Sequence, residues 1–369
     1  MNDSPDPKFL LDPYLDWSAA EGVPVIEDFA VDLHRVETKP WARFGTDGAI
    51  IHLAGRGDFV TLFVIDLPPG GASVPMSHLY DEVYFVLSGT GSASIELGDG
   101  SQHTFEWGAN SLFSPPLNSR YRLFNGSGSE PARLVVCTDF PILLNIFHNE
   151  DFLFENPFDF PERAGKADYF AGDGDFIPMT PGRHMWETNF VPDLANFELK
   201  VWEQRGAGSS NMKFVLADNV MHAHSSEMPA GSYKKAHWHQ PGAHVICMTG
   251  FGYSILWYDG DEDYVRHPWH HGVVFAPPDR MFHQHFCTSP VAARYLALSW
   301  GSIRYPLMQE KKDLRNNVDK DVKEGGRQIN YEDQDPRVHR MFLEELAKNG
   351  VESRMGKYFD EAAIVGAAE

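Results

Sequence analysis

The chain has 369 residues, of which 43% are hydrophobic and 13% aromatic, so it can bury a large core and its length favours two domains. It carries 31 basic and 52 acidic residues, a formal charge of −21. This charge argues against binding to a nucleic-acid backbone or to an anionic membrane, because both need a basic face. The first residues lack the basic and apolar regions of a signal peptide, and no apolar run is long enough to cross a bilayer, so we expect a cytoplasmic protein.

An internal repeat organises the sequence. Equivalent residues lie 161 positions apart in the first part of the repeat and 162 positions apart in its later part. The matched pairs include Pro68 with Pro229, His78 with His239, Gly89 with Gly250, and Pro115-Pro116 with Pro277-Pro278. A register that holds over this length indicates a duplicated domain.

Each copy is predicted to consist of short strands separated by Gly and Pro, which is typical of a β-sandwich or barrel. In the first copy the predicted strands are Phe59–Asp66, Glu82–Leu87, Ser92–Leu97, Ser111–Phe113, Tyr121–Phe124 and Leu134–Thr138. In the second copy they are His244–Met248, Tyr253–Trp257, Val273–Ala276, Met281–Phe286 and Arg294–Ser299.

The boundaries of the copies divide the chain into five parts. These are an N-terminal arm (1–40), a first barrel (41–150), a Pro-containing linker (151–200), a second barrel (201–305) and a C-terminal helical extension (306–369). In the extension, Asp335 is a predicted N-cap before Pro336, and Gly350 is a predicted helix stop. The apolar stripe of this helix should cover a barrel end or a partner subunit, and we expect a homo-oligomer.

Histidine is the residue that points to chemistry, because ten of the 17 lie between His222 and His285. His237 and His239 are two residues apart on a predicted strand, so their side chains leave from one face. His283 and His285 share a face of another strand. If these faces meet inside a barrel, three or four imidazoles converge, and neutral imidazole binds iron, zinc, copper or nickel.

At these residues the sequence resembles the cupin superfamily, and specifically the bicupins, which have two double-stranded β-helix (jelly-roll) barrels in tandem. The residues of the second copy that fit the two cupin motifs are Gly231, His237, His239, Gly250, Gly272, Pro278 and His283. The resemblance implies an all-β bicupin fold and a metal held by His237, His239 and His283.

The second copy departs from the cupin pattern at the position of the carboxylate ligand. Ala243 stands where the family has glutamate, while Arg280 and Cys287 replace a glycine and an asparagine. The alternative that His244 takes the glutamate position is disfavoured by its spacing to Gly250 and by strand alternation. A site of three histidines without a carboxylate is similar to that of gentisate-type ring-cleaving dioxygenases.

The first copy is degenerate. Met76 and Tyr121 replace two of the histidines, which leaves His78 and Glu82 as ordinary ligands. Because two ligands seldom hold a catalytic ion, we expect this barrel to be structural; the alternative is a small-molecule or regulatory pocket.

Two further residues are candidates for catalytic roles. His285 is either a proton carrier facing the cavity or a hydrogen-bonded core histidine. Arg280 is the candidate to hold a substrate carboxylate, against the alternative of an ordinary surface-turn arginine. His222 and His224 could edge the cavity, although a structural pair is the simpler interpretation.

The resemblance implies an Fe(II) dioxygenase that cleaves a C–C bond of an aromatic hydroxy acid or a related hydroxy-ketone or diketone, with a small anionic substrate and dioxygen as partners. Zn, Mn or Ni could occupy the same histidines. One alternative is a Zn- or Mn-dependent hydrolase, lyase or isomerase. The other is a non-catalytic bicupin that binds a small molecule.

Overall fold

The computed structural model describes residues 10–180, 183–302, 304–306 and 319–366. It contains two antiparallel β-barrels in tandem, followed by helices at the C-terminal end. This is the predicted all-β fold class of two jelly-roll barrels with a helical extension. Within the described residues, no helix is both long enough and apolar enough to cross a membrane.

Twenty-six strands lie in the described part of the chain. Those before the linker are β1 (Val25–Asp28), β2 (Ala30–Asp32), β3 (Lys39–Trp41), β4 (Thr46–Leu53), β5 (Thr61–Leu67), β6 (Glu82–Ser88), β7 (Thr90–Glu96), β8 (Gln102–Gly108), β9 (Leu112–Phe113), β10 (Arg120–Asn125) and β11 (Ala132–Thr138). The strands from the linker onwards are β12 (Asp175–Thr180), β13 (Arg183–Thr188), β14 (Phe190–Val191), β15 (Lys200–Val201), β16 (Ser210–Leu216), β17 (Met221–Met228), β18 (Ser232–Tyr233), β19 (Ala236–His237), β20 (His244–Thr249), β21 (Gly252–Trp257), β22 (Val265–Trp269), β23 (Val273–Phe275), β24 (Phe282–Cys287), β25 (Ala293–Trp300) and β26 (Gln328–Ile329).

The two barrels repeat one strand order, as the sequence duplication predicts. In the first barrel one sheet contains the order β4-β5-β11-β6-β9 and the other is β10-β7-β8. In the second barrel the equivalent orders are β16-β17-β25-β20-β23 and β24-β21-β22. Strands from outside each repeat extend the sheets, since β14 pairs with β9 and β2 pairs with β23. The N-terminal arm therefore contributes β1 to the first barrel and β2 to the second.

The large sheets of the two barrels pack against each other. Leu62, Val64 and Phe85 of the first barrel share one buried cluster with Phe214 and Leu296 of the second. These strands are buried on both faces because one face lines a barrel interior and the other lies between the barrels.

Five helices are described: α1 (Pro13–Ala20), α2 (Phe140–Phe147), α3 (Glu150–Phe154), α4 (Pro336–Asn349) and α5 (Glu361–Gly366). Helix α4 confirms the predicted boundaries. The side chain of Asp335 accepts a hydrogen bond from the Arg337 N–H, and Gly350 ends the helix in the left-handed region with φ of 65°.

The apolar stripe of α4 covers the outer face of the second barrel. Val338, Phe342 and Leu346 are buried in one cluster with Tyr253 and Phe286. Because neighbouring strand residues point to opposite faces, Ser254 and His285 point away from this helix and into the barrel. The helix therefore covers the second barrel from outside, while the candidate site lies inside it.

We expect Phe342→Ala to lower the free energy of unfolding by about 3–5 kcal/mol, because the ring is fully buried between Tyr233 and Phe286. The matched control is Glu344→Ala on the exposed side of the same helix, with an expected change within about 0.5 kcal/mol. Chemical denaturation measures both. Equal, small losses for the two variants would show that α4 does not stabilise the barrel.

Candidate metal centre

The structure brings together the three histidines proposed as ligands. His237 lies on β19, and its antiparallel register partner on β24 is His283; His239 follows two residues after His237. One ligand atom from each of the three lies within 4.8 Å of the others. The ring centroids of His237 and His239 are 4.3 Å and 4.6 Å from that of His283. One ion can therefore contact all three side chains.

Backbone carbonyls fix the orientation of each ring. The Nδ1 atoms face the carbonyl oxygens of Lys235 (3.3 Å from His237), Gln240 (2.8 Å from His239) and Met281 (3.0 Å from His283). A neutral imidazole that donates from Nδ1 presents the lone pair of Nε2 to a metal. All three rings are therefore set up as Nε2 ligands.

The electrostatics favour the neutral form of two of these rings. Burial lowers the pKa of both His237 and His283 well below the ordinary value, and the positive charge of Arg205 and the neighbouring imidazoles add to the effect. A metal binds the deprotonated ring, so the environment favours the binding form.

Among the described residues, no carboxylate completes the cluster. Ala243, which aligns with the glutamate of the cupin motif, lies in the wall of the cavity beside the histidines. His244 is fully buried on the opposite face of its strand, where its Nδ1 is 3.0 Å from the Gly242 carbonyl oxygen. The ligand set that fits a metal is thus three imidazoles, which suits Fe, Zn, Cu or Ni.

The cavity in front of the histidines measures about 160 Å³ and is lined by basic and aromatic residues. Its basic residues other than histidine are Arg205, Lys213, Lys234 and Arg327, and its large aromatic residues are Trp202, Trp238, Tyr295 and Trp300. Among the described residues that line it, none is Asp or Glu. The wall therefore complements an anion.

Lys234 is a buried amine in this wall. Its Nζ donates to the hydroxyls of Tyr295, at 2.8 Å, and of Ser226. Burial, together with the charges of Arg205 and Lys213, lowers the pKa of Lys234 well below its usual range. The position therefore disfavours the charged form of this amine.

Three further histidines, His222, His224 and His285, also line the cavity. The Nδ1 of His285 is 2.7 Å from the Ser254 hydroxyl, and its ring centroid is 5.4 Å from that of His283. His285 is therefore a neighbour of the ligand set. His222 and His224 lie on β17 of the other sheet, with 2.9 Å between their ring nitrogens. They are a hydrogen-bonded pair and also edge the cavity, so the two interpretations of this pair are compatible.

Arg280 lies elsewhere. Its side chain is exposed, its φ is 56°, and it is not among the residues that line the cavity. Its backbone N–H donates to the carbonyl of His239 at 3.1 Å, so it shapes the turn beside that ligand. The arginines of the cavity wall are Arg205 and Arg327, and neither lies in a motif or spacing pattern that predicts it.

The equivalent place in the first barrel is closed by hydrogen bonds. His78 Nε2 lies 3.1 Å from a Glu82 carboxylate oxygen and 3.0 Å from the Tyr121 hydroxyl, which also donates to Glu82. Tyr84 extends the network at 2.8 Å from Tyr121. Because the two remaining ligands bind each other, these contacts support a structural role for this barrel.

Comparison with known proteins adds little about activity. No protein-family model matches the chain, and no curated protein matches it. Similar solved structures include the Bacillus subtilis oxalate decarboxylase with Mn(II) centres, at 14% identity, a TM-score of 0.48, and coverage of 75% of this chain and 78% of that one. Another is the Lactobacillus farciminis oxalate decarboxylase in complex with formate, at 10% identity, a TM-score of 0.47, and coverage of 74% and 86%. These values are too low to transfer an activity to this chain.

We expect His239→Ala to lose most of the bound metal, because two imidazoles seldom hold an ion against water. Elemental analysis of protein purified without added metal measures the loss. The control is His270→Ala, which removes an exposed histidine near Asp32 and should leave the metal content unchanged. Full metal occupancy in the His239 variant would contradict the assignment.

Proposed function

We propose that the protein is an Fe(II)-dependent dioxygenase that cleaves a C–C bond of an aromatic hydroxy acid or a related hydroxy-ketone or diketone. The observation that carries the proposal is the set of three converging imidazoles, in a cavity whose described lining has no carboxylate. When bound, ferrous iron would supply the electron transfer that lets dioxygen react with the substrate.

The cavity wall supports an anionic, flat substrate. Its volume of about 160 Å³ is close to the ~150 Å³ of an apolar cavity known to bind benzene, so one substituted ring fits. Trp202 and Trp238 offer flat apolar surfaces, and the cations attract a carboxylate. The protein's part is to desolvate the substrate and to orient it towards the histidines.

His285 is proposed as the hydrogen-bonding group beside the reacting atoms. The Ser254 hydroxyl is within hydrogen-bond distance of both the His285 Nδ1 and the Trp269 indole N–H, the latter at 3.0 Å. This fixes the ring, and Nε2 is the atom left to exchange a hydrogen bond with substrate. Arg280, which has no place in the cavity lining, has no part in this proposal.

Oxygen uptake tests the function. We expect protein loaded with Fe(II) under anaerobic conditions to consume oxygen with at least one member of a panel of gentisate-type hydroxybenzoates, hydroxy-ketones and β-diketones, in proportion to substrate loss. His285→Gln should retain iron but turn over about 10²–10⁴-fold more slowly, because it removes a positioned proton-transfer group. His239→Ala should lose both iron and uptake.

Two results would contradict the dioxygenase. Turnover without oxygen, supported equally by Zn or Mn, would indicate a hydrolase, lyase or isomerase at the same histidines. Iron-loaded protein that consumes no oxygen with any panel member would remove the basis of the proposal, provided that the His270→Ala control and the wild type carry equal iron.

A further inference from the structure

Arg205 is a buried cation that faces the metal cavity. It lies in the short 3₁₀ helix Glu203–Arg205 and is 6% exposed. Its guanidinium donates to the Gln328 side-chain oxygen at 3.3 Å and lies 4.7 Å from the centroid of the Trp202 ring. Both partners are uncharged. A buried charge without a counter-ion is costly, so its place in a cavity wall calls for an anion.

Burial lowers the pKa of Arg205, and the negative charge of Asp319 opposes that shift. Asp319 itself accepts a hydrogen bond from Arg183 at 2.6 Å, and the Arg183 guanidinium lies 5.5 Å from the centroid of the same Trp202 ring. Among the described residues, no carboxylate is within ion-pair distance of Arg205.

The arginine stands a short distance from the metal ligands. Strand β26 pairs with β19, and the register partner of His237 is Gln328, the residue that holds Arg205. Arg205 and His237 line the same cavity. A molecule bound at the histidines therefore needs to extend only about the distance between two neighbouring strands to reach the guanidinium.

We propose that the substrate carries two acid-bearing ends: one binds at the metal, and a second, distal carboxylate binds Arg205. The metal-bound end rests on the proposed function; the distal end rests on Arg205 itself. A planar guanidinium fork matches a carboxylate with two parallel hydrogen bonds, and Trp202 holds the fork in place by cation–π contact. The substrate class is an aromatic hydroxy acid with an additional carboxylate on the ring.

Two ligands that differ by one group test this inference. Salicylate has only the chelating hydroxy-acid end, whereas 4-hydroxyisophthalate adds a carboxylate opposite the hydroxyl. Titration calorimetry on Fe(II)-loaded protein without oxygen should show the second ligand binding about 10- to 100-fold more tightly, as expected for a charged hydrogen-bonded pair. Equal affinities in the wild type would overturn the inference without any variant.

The variants locate the effect. Arg205→Met should reduce the preference to about onefold. The affinity for salicylate and the metal content, measured on the same variant, show how much of any loss is not specific to the second carboxylate. Arg205→Lys, which keeps the charge but loses the fork, should give an intermediate preference and protects the test if the methionine variant folds poorly. Arg280→Gln, on the exposed turn, should retain the full preference. A preference unchanged in both Arg205 variants would also overturn the inference.

The outcome is separate from that of the oxygen assay. A preference that depends on Arg205 in a protein that consumes no oxygen would leave the distal carboxylate site standing and remove only the dioxygenase. Oxygen consumption without such a preference would support the dioxygenase and overturn the distal carboxylate site.

Discussion

The candidate site depends on the pairing of a two-residue strand. Strand β19 contains one ligand, His237, and is held on one side by β24, which contains His283, and on the other by β26. A strand of two residues has little stability alone. Its position is therefore set by the two neighbouring strands. The C-terminal extension, which supplies β26, is therefore part of the candidate metal centre: it holds His237 in place and brings Arg327 to the cavity.

The local charge of the cavity differs in sign from that of the whole protein. The chain carries a formal charge of −21, yet the described lining of the cavity has two arginines, two lysines and no acid. Acidic residues elsewhere keep the surface negative, while the buried cations act at short range in a medium that screens them weakly. The net charge argues against binding to nucleic acids and anionic membranes, but it gives no information about a small anion in the interior.

Local patterns in the sequence predicted the duplication, helix α4 and the meeting of His237, His239 and His283, because each depends on spacing within one strand, one helix or one repeat. Strand alternation also predicted that His244 faces away from the cavity that Ala243 lines, because neighbouring strand residues point to opposite faces. Arg205, Lys213 and Arg327 could not be predicted in this way. Arg205 and Arg327 meet at the cavity because β26 pairs with β19 and Arg205 bonds to Gln328, more than 100 residues away in sequence. Arg280, the candidate to hold a substrate carboxylate, lies close to the histidine motif in sequence, but its side chain is exposed to solvent.

X-ray absorption spectroscopy at the edge of the bound metal tests the central claim most directly. The account predicts three imidazole nitrogens at ~2.0–2.2 Å, with the remaining scatterers being oxygen from solvent or a bound acid. The same spectrum should lose imidazole scattering when His283 is replaced. A sphere with fewer than two imidazoles, or one that contains sulfur, would contradict the account, because the described residues that line the cavity include no cysteine or methionine.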